Sequence, residues 1–324
     1  MKKFVGNINR GRFLLGIKSA LICAVAISSL VSFAEAKDQK APKPPADPRE
    51  TYTKDNWKLV WSEDFNVDGT PSRDVWHPEV GFIRNHEPQY YTNMRPENCF
   101  VKNGVLSIVA RKEVFPNADY LKQKSGWKYS VKEAQYTSAD IVTKRTFLYG
   151  RIEVSACMPK SHGAWPAIWT LGDSLRKPMD DPEYYNWPCC GEIDIVEIWC
   201  NNPYRVAACL HSSKIGTRVK PNEQHKVTGG GDITCKKPGM EPFNGFHTYT
   251  LDWYEDKIVM FYDGKCYAKV DLNKSNWPNG ENPFRKPHFL LLNLALGGYG
   301  NKVDARSVFP MEMKVDYVRY YQKQ

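Results

Sequence analysis

Glu192-Ile193-Asp194-Ile195-Val196-Glu197 places three carboxylates in six residues and separates them with isoleucine and valine. β-Branched residues favour a pleated strand, and strand side chains alternate between faces. Glu192 and Asp194 then share one face. Glu197 is an odd number of residues from Glu192 and would point away in a regular strand. One extra residue near Ile195-Val196, a β-bulge, returns it to the others. Three like charges beside one another are costly unless a proton is shared or held. Such an environment suits glycoside hydrolysis, which needs one ionised carboxylate and one protonated carboxyl across a bond. A solvated face with incidental acids is the competing reading. The flanks speak against it, being Trp187-Pro188 and Trp199 with no lysine between.

Outward from this strand, short apolar runs follow one another with turn residues between them and no long amphipathic helix. Strands are predicted at Trp57 to Phe65, Gly150 to Met158, Ala164 to Leu171, Arg205 to His211, Phe246 to Trp253, Phe289 to Leu296 and Met311 to Tyr321. Asn103-Gly104 and Asp263-Gly264 each separate two apolar runs, and these dipeptides accept the positive φ of a tight hairpin. Many strands joined by turns predict an all-β sandwich of two antiparallel sheets. Two polar stretches, Val114 to Tyr136 and Lys214 to Gly245, read as long loops bordering a cleft. Gly229-Gly230-Gly231 makes the second one flexible in this reading.

The chain of 324 residues opens with Lys2, Lys3, Arg10, Arg12 and Lys18, then runs apolar from Ala20 to Phe33 and reaches Ala34-Glu35-Ala36. That order predicts a secretory signal peptide over residues 1–36, with a retained anchor as the alternative. Export to the periplasm or the medium follows. Pro42, Pro44, Pro45 and Pro48 make 37–55 a semi-extended spacer, which leaves 56–324 for one large β domain. Loss of five basic residues and Glu35 with the leader takes the formal charge from +9 to +5. No basic stripe or nucleic-acid module accompanies that surplus. Nucleic acid is therefore not an expected partner, nor, after cleavage, is a membrane. Cys23 leaves with the leader. The eight remaining cysteines are an even number, which in an exported chain predicts disulfides, with buried thiols as the alternative.

The E-x-D-x-x-E pattern resembles the signature of glycoside hydrolase family 16 in its bulged, laminarinase-like branch. Trp61-Ser62-Glu63-Asp64-Phe65-Asn66 resembles the family's opening strand, and Gly81 to Glu87 with Gln89-Tyr90-Tyr91-Thr92 resembles a laminarinase substrate loop. Gly163 to Trp169 and Val315 to Tyr321 match further segments, in the same order. The resemblance implies a concanavalin A-like β-jelly roll with a concave substrate face. It implies Glu192 as nucleophile, Glu197 as general acid and then base, and Asp194 hydrogen-bonded to the nucleophile. It further implies sugar contacts from Arg84, Asn85 and Glu87, with loop bracing as the competing role of Glu87.

Trp165 and Trp169 are an even number of residues apart, so they face one way and are expected to stack on pyranose rings. Core packing is the alternative. Trp187 is a candidate at the subsite boundary, and His211 one on the leaving-group side, against a structural role. Catalysis in this family needs no cofactor. A structural calcium is implied on Glu63, the Gly104 carbonyl and Asp316.

The function so read is a secreted, monomeric, retaining endo-β-glycosidase acting on a glycan, first an endo-β-1,3(4)-glucanase. The alternatives are an endo-β-1,4-galactosidase on poly-N-acetyllactosamine or mucin O-glycans, a transglycosylase, and a non-hydrolytic glycan binder. The intact acids argue against the binder. Two departures from the family pattern border the cleft: Cys189-Cys190 where small residues are usual, and the length of Lys214 to Gly245.

Overall fold

The structure, a computed structural model, describes residues 56–214 and 225–324. The predicted leader at 1–36 and the spacer at 37–55 lie outside the described residues, as does 215–224 of the second long stretch.

Seventeen strands are described. They are β1 (Trp57–Glu63), β2 (Trp76–Pro78), β3 (Gln89–Tyr91), β4 (Cys99–Lys102), β5 (Val105–Pro116), β6 (Glu133–Ser138), β7 (Asp140–Thr143), β8 (Gly150–Cys157) and β9 (Ala164–Gly172). The rest are β10 (Glu192–Glu197), β11 (Arg205–Ser213), β12 (His225–Thr234), β13 (His247–Trp253), β14 (Lys257–Tyr262), β15 (Lys265–Asp271), β16 (His288–Leu296) and β17 (Met311–Lys323). The one α-helix among the described residues is a single turn, α1 (Trp127–Ser130). No helix there is long and apolar enough to cross a membrane.

Two sheets result. The ten-stranded sheet runs β15-β14-β13-β8-β17-β5-β6-β3, with β1 paired to β17 and β4 to β5. The seven-stranded sheet runs β12-β11-β10-β9-β16-β7-β2. Ile193, Ile195, Leu290 and Leu292 of the second sheet share one core with Val154, Leu251, Met260 and Val315 of the first. This is the all-β, jelly-roll sandwich expected, and the alternating apolar strands build it because each sheet must bury one face. β9 and β16 are buried along their whole length, and Trp165, Ala167, Trp169, Asn293 and Ala295 on them line a cleft. Both predicted hairpins form, Lys102 pairing with Val105 and Tyr262 with Lys265 across turns of positive φ.

The two stretches read as loops hold regular structure. Val114 to Tyr136 contains the end of β5, α1 and the start of β6. Lys214 to Gly245 contains β12, which pairs along β11 from Arg205–Thr234 to Ser213–His225. β12 forms the edge of its sheet and alternates only between half-buried and exposed positions, so its stability comes from the ladder and no apolar period announces it. Gly229-Gly230-Gly231 lies inside that strand and not in a flexible loop. A Cβ at Gly230 would stand 2.3 Å from the Ala208 carbonyl oxygen and one at Gly231 2.2 Å from that of Tyr267. Glycine is there for close approach of backbones.

The predicted disulfides are a second correction. None of the eight cysteines from Cys99 to Cys266 is in a disulfide. Cys99, Cys200 and Cys235 pack in the main core and Cys190 in a smaller cluster beside the cleft. There they act as small apolar side chains.

Candidate active site

β10 carries the site. Its register slips against both neighbours, between Asp194 and Val196 on the β9 side and between Asp194 and Glu197 on the β11 side. The bulge read from the odd spacing is therefore present, and it sends Ile195 and Val196 both into buried positions. Glu192, Asp194 and Glu197 all line one cleft of about 1060 Å³. The hydroxyl of Tyr267, from the opposite sheet, donates to the Ile195 carbonyl at the bulge. A bulge releases a carbonyl from the ladder, and a buried carbonyl needs a donor. Tyr267 provides one.

Each glutamate receives an indole N–H. Trp187 Nε1 donates to Glu192 Oε2 at 2.8 Å, and Trp165 Nε1 donates to Glu197 Oε1 at 3.0 Å. His211 Nε2 lies 3.3 Å from Asp194 Oδ2 and 3.7 Å from Glu192 Oε1. Burial, and then the Asp194 charge, push Glu192 up to about 8, with His211 and Trp187 pulling it back. Burial, Asp194 and Glu192 hold Glu197 well above the usual carboxylate range, and burial does the same to Asp194. The cluster cannot carry three charges at neutral pH.

Other expected site residues divide by what they touch. Arg84 donates to Asp140 at 2.9 Å and to Glu79, and its guanidinium lies 4.8 Å from the Trp169 ring centre. Glu87 is buried and accepts from Asn85 at 3.0 Å and Gln89 at 2.7 Å. Arg84 and Glu87 thus brace the cleft wall they line, together with Asn85. Trp165 and Trp169 both line the cleft, each only 6 % exposed. Trp169 Nε1 donates to Asn293 at 2.8 Å. Their indoles are held as floor and as hydrogen-bond donors, Trp165 to Glu197 and Trp169 to Asn293. Both long stretches border the cleft, through Lys128 in one and His225 and Val227 in the other.

Sequence reading missed four residues here. Tyr299 is 82 % exposed and sets its ring edge-on to Trp165 and Trp199. Gly298 makes room for Trp165, since a Cβ there would stand 2.3 Å from its ring. His225 hydrogen-bonds His211 at 2.7 Å and packs against Trp187. Cys209 lines the cleft beside the acids, its thiol pushed up to about 12 by burial and by the charges of Asp194, Glu197 and Glu192. Only Cys209 had a usable signal, its even spacing from His211 on a predicted strand.

The sequence profile described as Glycosyl hydrolases family 16 matches residues 86–319. A β-glucanase of Rhodothermus marinus is 34 % identical over 276 residues, covering 82 % of this chain and 85 % of that protein. Among solved structures, the laminarinase catalytic domain of Thermotoga maritima MSB8 is 32 % identical with a TM-score of 0.67, over 83 % of this chain and 99 % of that one. A chain from work on endo-acting O-glycanases that human gut bacteria express to initiate mucin breakdown is 34 % identical with a TM-score of 0.74, over 87 % and 94 %. The matched region contains Glu192, Asp194 and Glu197 together with the strands that hold them, and the chain belongs to glycosyl hydrolases family 16, a glycoside hydrolase.

Proposed function

We propose that this hydrolase is a secreted, retaining endo-β-1,3(4)-glucanase of the bulged, laminarinase-like branch. One observation carries the reading: three carboxyls on one face of a bulged strand, lining one cleft with an indole N–H on each glutamate.

In the first step Glu192, ionised and held by the Trp187 N–H, attacks the anomeric carbon. Glu197 gives its proton to the departing glycosidic oxygen, and an α-linked glycosyl-enzyme forms. In the second step Glu197, now a carboxylate, takes a proton from water as that water attacks the same carbon. Glu192 leaves, and the product is β again. Asp194 supplies negative charge beside Glu197, which favours the proton that the first step needs. No cofactor takes part. The expected leader at 1–36 accounts for export, and the enzyme acts as a monomer.

A second reading, an endo-β-1,4-galactosidase on poly-N-acetyllactosamine or mucin O-glycans, is favoured by the likeness to the mucin-directed O-glycanase chain. Incubating the enzyme with laminarin, mixed-linkage glucan, keratan and mucin O-glycans, and following oligosaccharides by mass, separates the two. Release from laminarin supports the first reading. Cutting of the galactosides alone overturns it and leaves the mechanism standing.

Glu63, the Gly104 carbonyl and Asp316 would hold a structural calcium. Register supports it: Glu63 pairs with Val318 on β17, and Val315 of β17 pairs with Leu106, two residues beyond Gly104. Two carboxylates, one of them (Asp316) only 1 % exposed, and a carbonyl are the oxygen donors a hard cation takes.

A further inference from the structure

We propose that Asp194, Cys209 and His211 form a binding site for a borderline divalent cation of the Zn²⁺ type, and that its occupation reversibly arrests the hydrolase. Register builds the site. Asp194 stands directly across from Cys209, and Glu192 across from His211, in the β10–β11 pair. Cys209 and His211 are two apart on one strand and both line the cleft.

The three ligand atoms lie within 4.8 Å of one another, with His211 Nε2 and Asp194 Oδ2 at 3.3 Å. Bonds of about 2.0–2.3 Å around a tetrahedral Zn²⁺ put neighbouring ligand atoms roughly 3.3–3.7 Å apart, so the set closes by side-chain shifts of about an ångström. A second observation is independent of that spacing. Asp194 is 3 % exposed, and its Oδ2 has no hydrogen-bond partner among the described residues. The third observation concerns His211. Its Nδ1 is 2.7 Å from His225 Nε2. When Nδ1 carries the proton and donates it to His225, Nε2 turns a lone pair toward Asp194 Oδ2, which is how an imidazole ligand is ordinarily held from behind.

Donor chemistry selects the cation. A thiolate, an imidazole and a carboxylate suit Zn²⁺, whereas Ca²⁺ and Mg²⁺ take oxygen donors. As the metal–sulfur bond forms, the Cys209 thiol releases its proton to solvent. The cation then occupies Asp194 and sits beside Glu192, neutralising the charge that both displacement steps use.

The test has two readouts on the purified protein. Co²⁺ titration should give one equivalent of thiolate-to-cobalt charge-transfer absorption, absent in Cys209→Ala and in Cys209→Ser. Zn²⁺ should inhibit glycan cleavage reversibly, with activity restored by EDTA, while Ca²⁺ at the same concentration does not. Measured against its own metal-free rate, Cys209→Ala should need at least about tenfold more Zn²⁺ for half inhibition. Unchanged cobalt absorption in both variants, equal Zn²⁺ sensitivity of variant and parent, or inhibition by Ca²⁺ would each overturn the proposal. The cobalt spectrum needs no substrate, so a wrong glycan assignment does not affect it. The other thiols, exposed Cys266 among them, are controlled by the comparison with the variants.

Discussion

Glu192 and Glu197 are held by nearly the same means, burial and an indole N–H, yet the proposed chemistry asks one to be ionised and the other protonated. At nearly constant shape, Glu192→Gln removes the nucleophile's charge and Glu197→Gln removes the proton that the leaving oxygen takes. Each should lower kcat by about 10²–10⁴-fold or more with circular dichroism unchanged. With an activated β-glycoside and azide, Glu192→Ala should yield the α-azide and Glu197→Ala the β-azide; the same anomer from both would reject the assignment of roles. Proton balance provides a second prediction. Activity needs Glu192 ionised, so kcat/KM should fall on the acid side through about pH 8 rather than near 4.5. The Trp187 N–H stabilises the charged form, so Trp187→Phe should move that limb to higher pH by about half a unit or more. A limb that stays in place would mean the bond does not matter. Stability follows the same sign. The folded value of about 8 exceeds the ordinary 4.5, so the penalty begins above 4.5 and is complete above about 8. Glu192→Gln removes it, gaining on the order of a few kcal/mol in alkaline denaturation experiments and nothing below about pH 4.5.

Strand β10 depends on a residue from the other sheet. Tyr267→Phe leaves the Ile195 carbonyl buried without its donor, which should cost about 1–3 kcal/mol in urea unfolding. The same change should lower kcat more than it raises KM, because the bulge aims Glu197. An unfolding midpoint equal to that of the parent would show that the bulge does not need the hydroxyl. The bulge itself was legible from six residues, since an odd spacing among β-branched neighbours allows few other ways to gather the acids. Its donor was not, because Tyr267 is 72 residues away from Ile195. β12 was illegible for another reason. An edge strand with three glycines has no apolar period, and only pairing with β11 reveals it.

Within the ten-stranded sheet, a cation on Glu63, Gly104 and Asp316 would join β1, the β4–β5 turn and β17, which are far apart along the chain. Removal of calcium with EGTA should therefore lower Tm by a few degrees for a domain of this size, with kcat at lower temperature unchanged. A Tm that EGTA does not move would remove the calcium assignment and leave the catalytic one intact. The sequence by itself determined the class of fold, both hairpins and the shared face of Glu192, Asp194 and Glu197. Those follow from alternation and turn chemistry, which neighbours along the chain encode. Only the tertiary structure decided that Trp165 serves Glu197, that Arg84 is bound by Asp140, and that the cysteines are not in disulfides. Trp165 and Glu197 are 32 residues apart, and Arg84 and Asp140 are 56. Their meeting depends on how the strands are ordered and stacked, a property of the packed sheets that no local pattern contains.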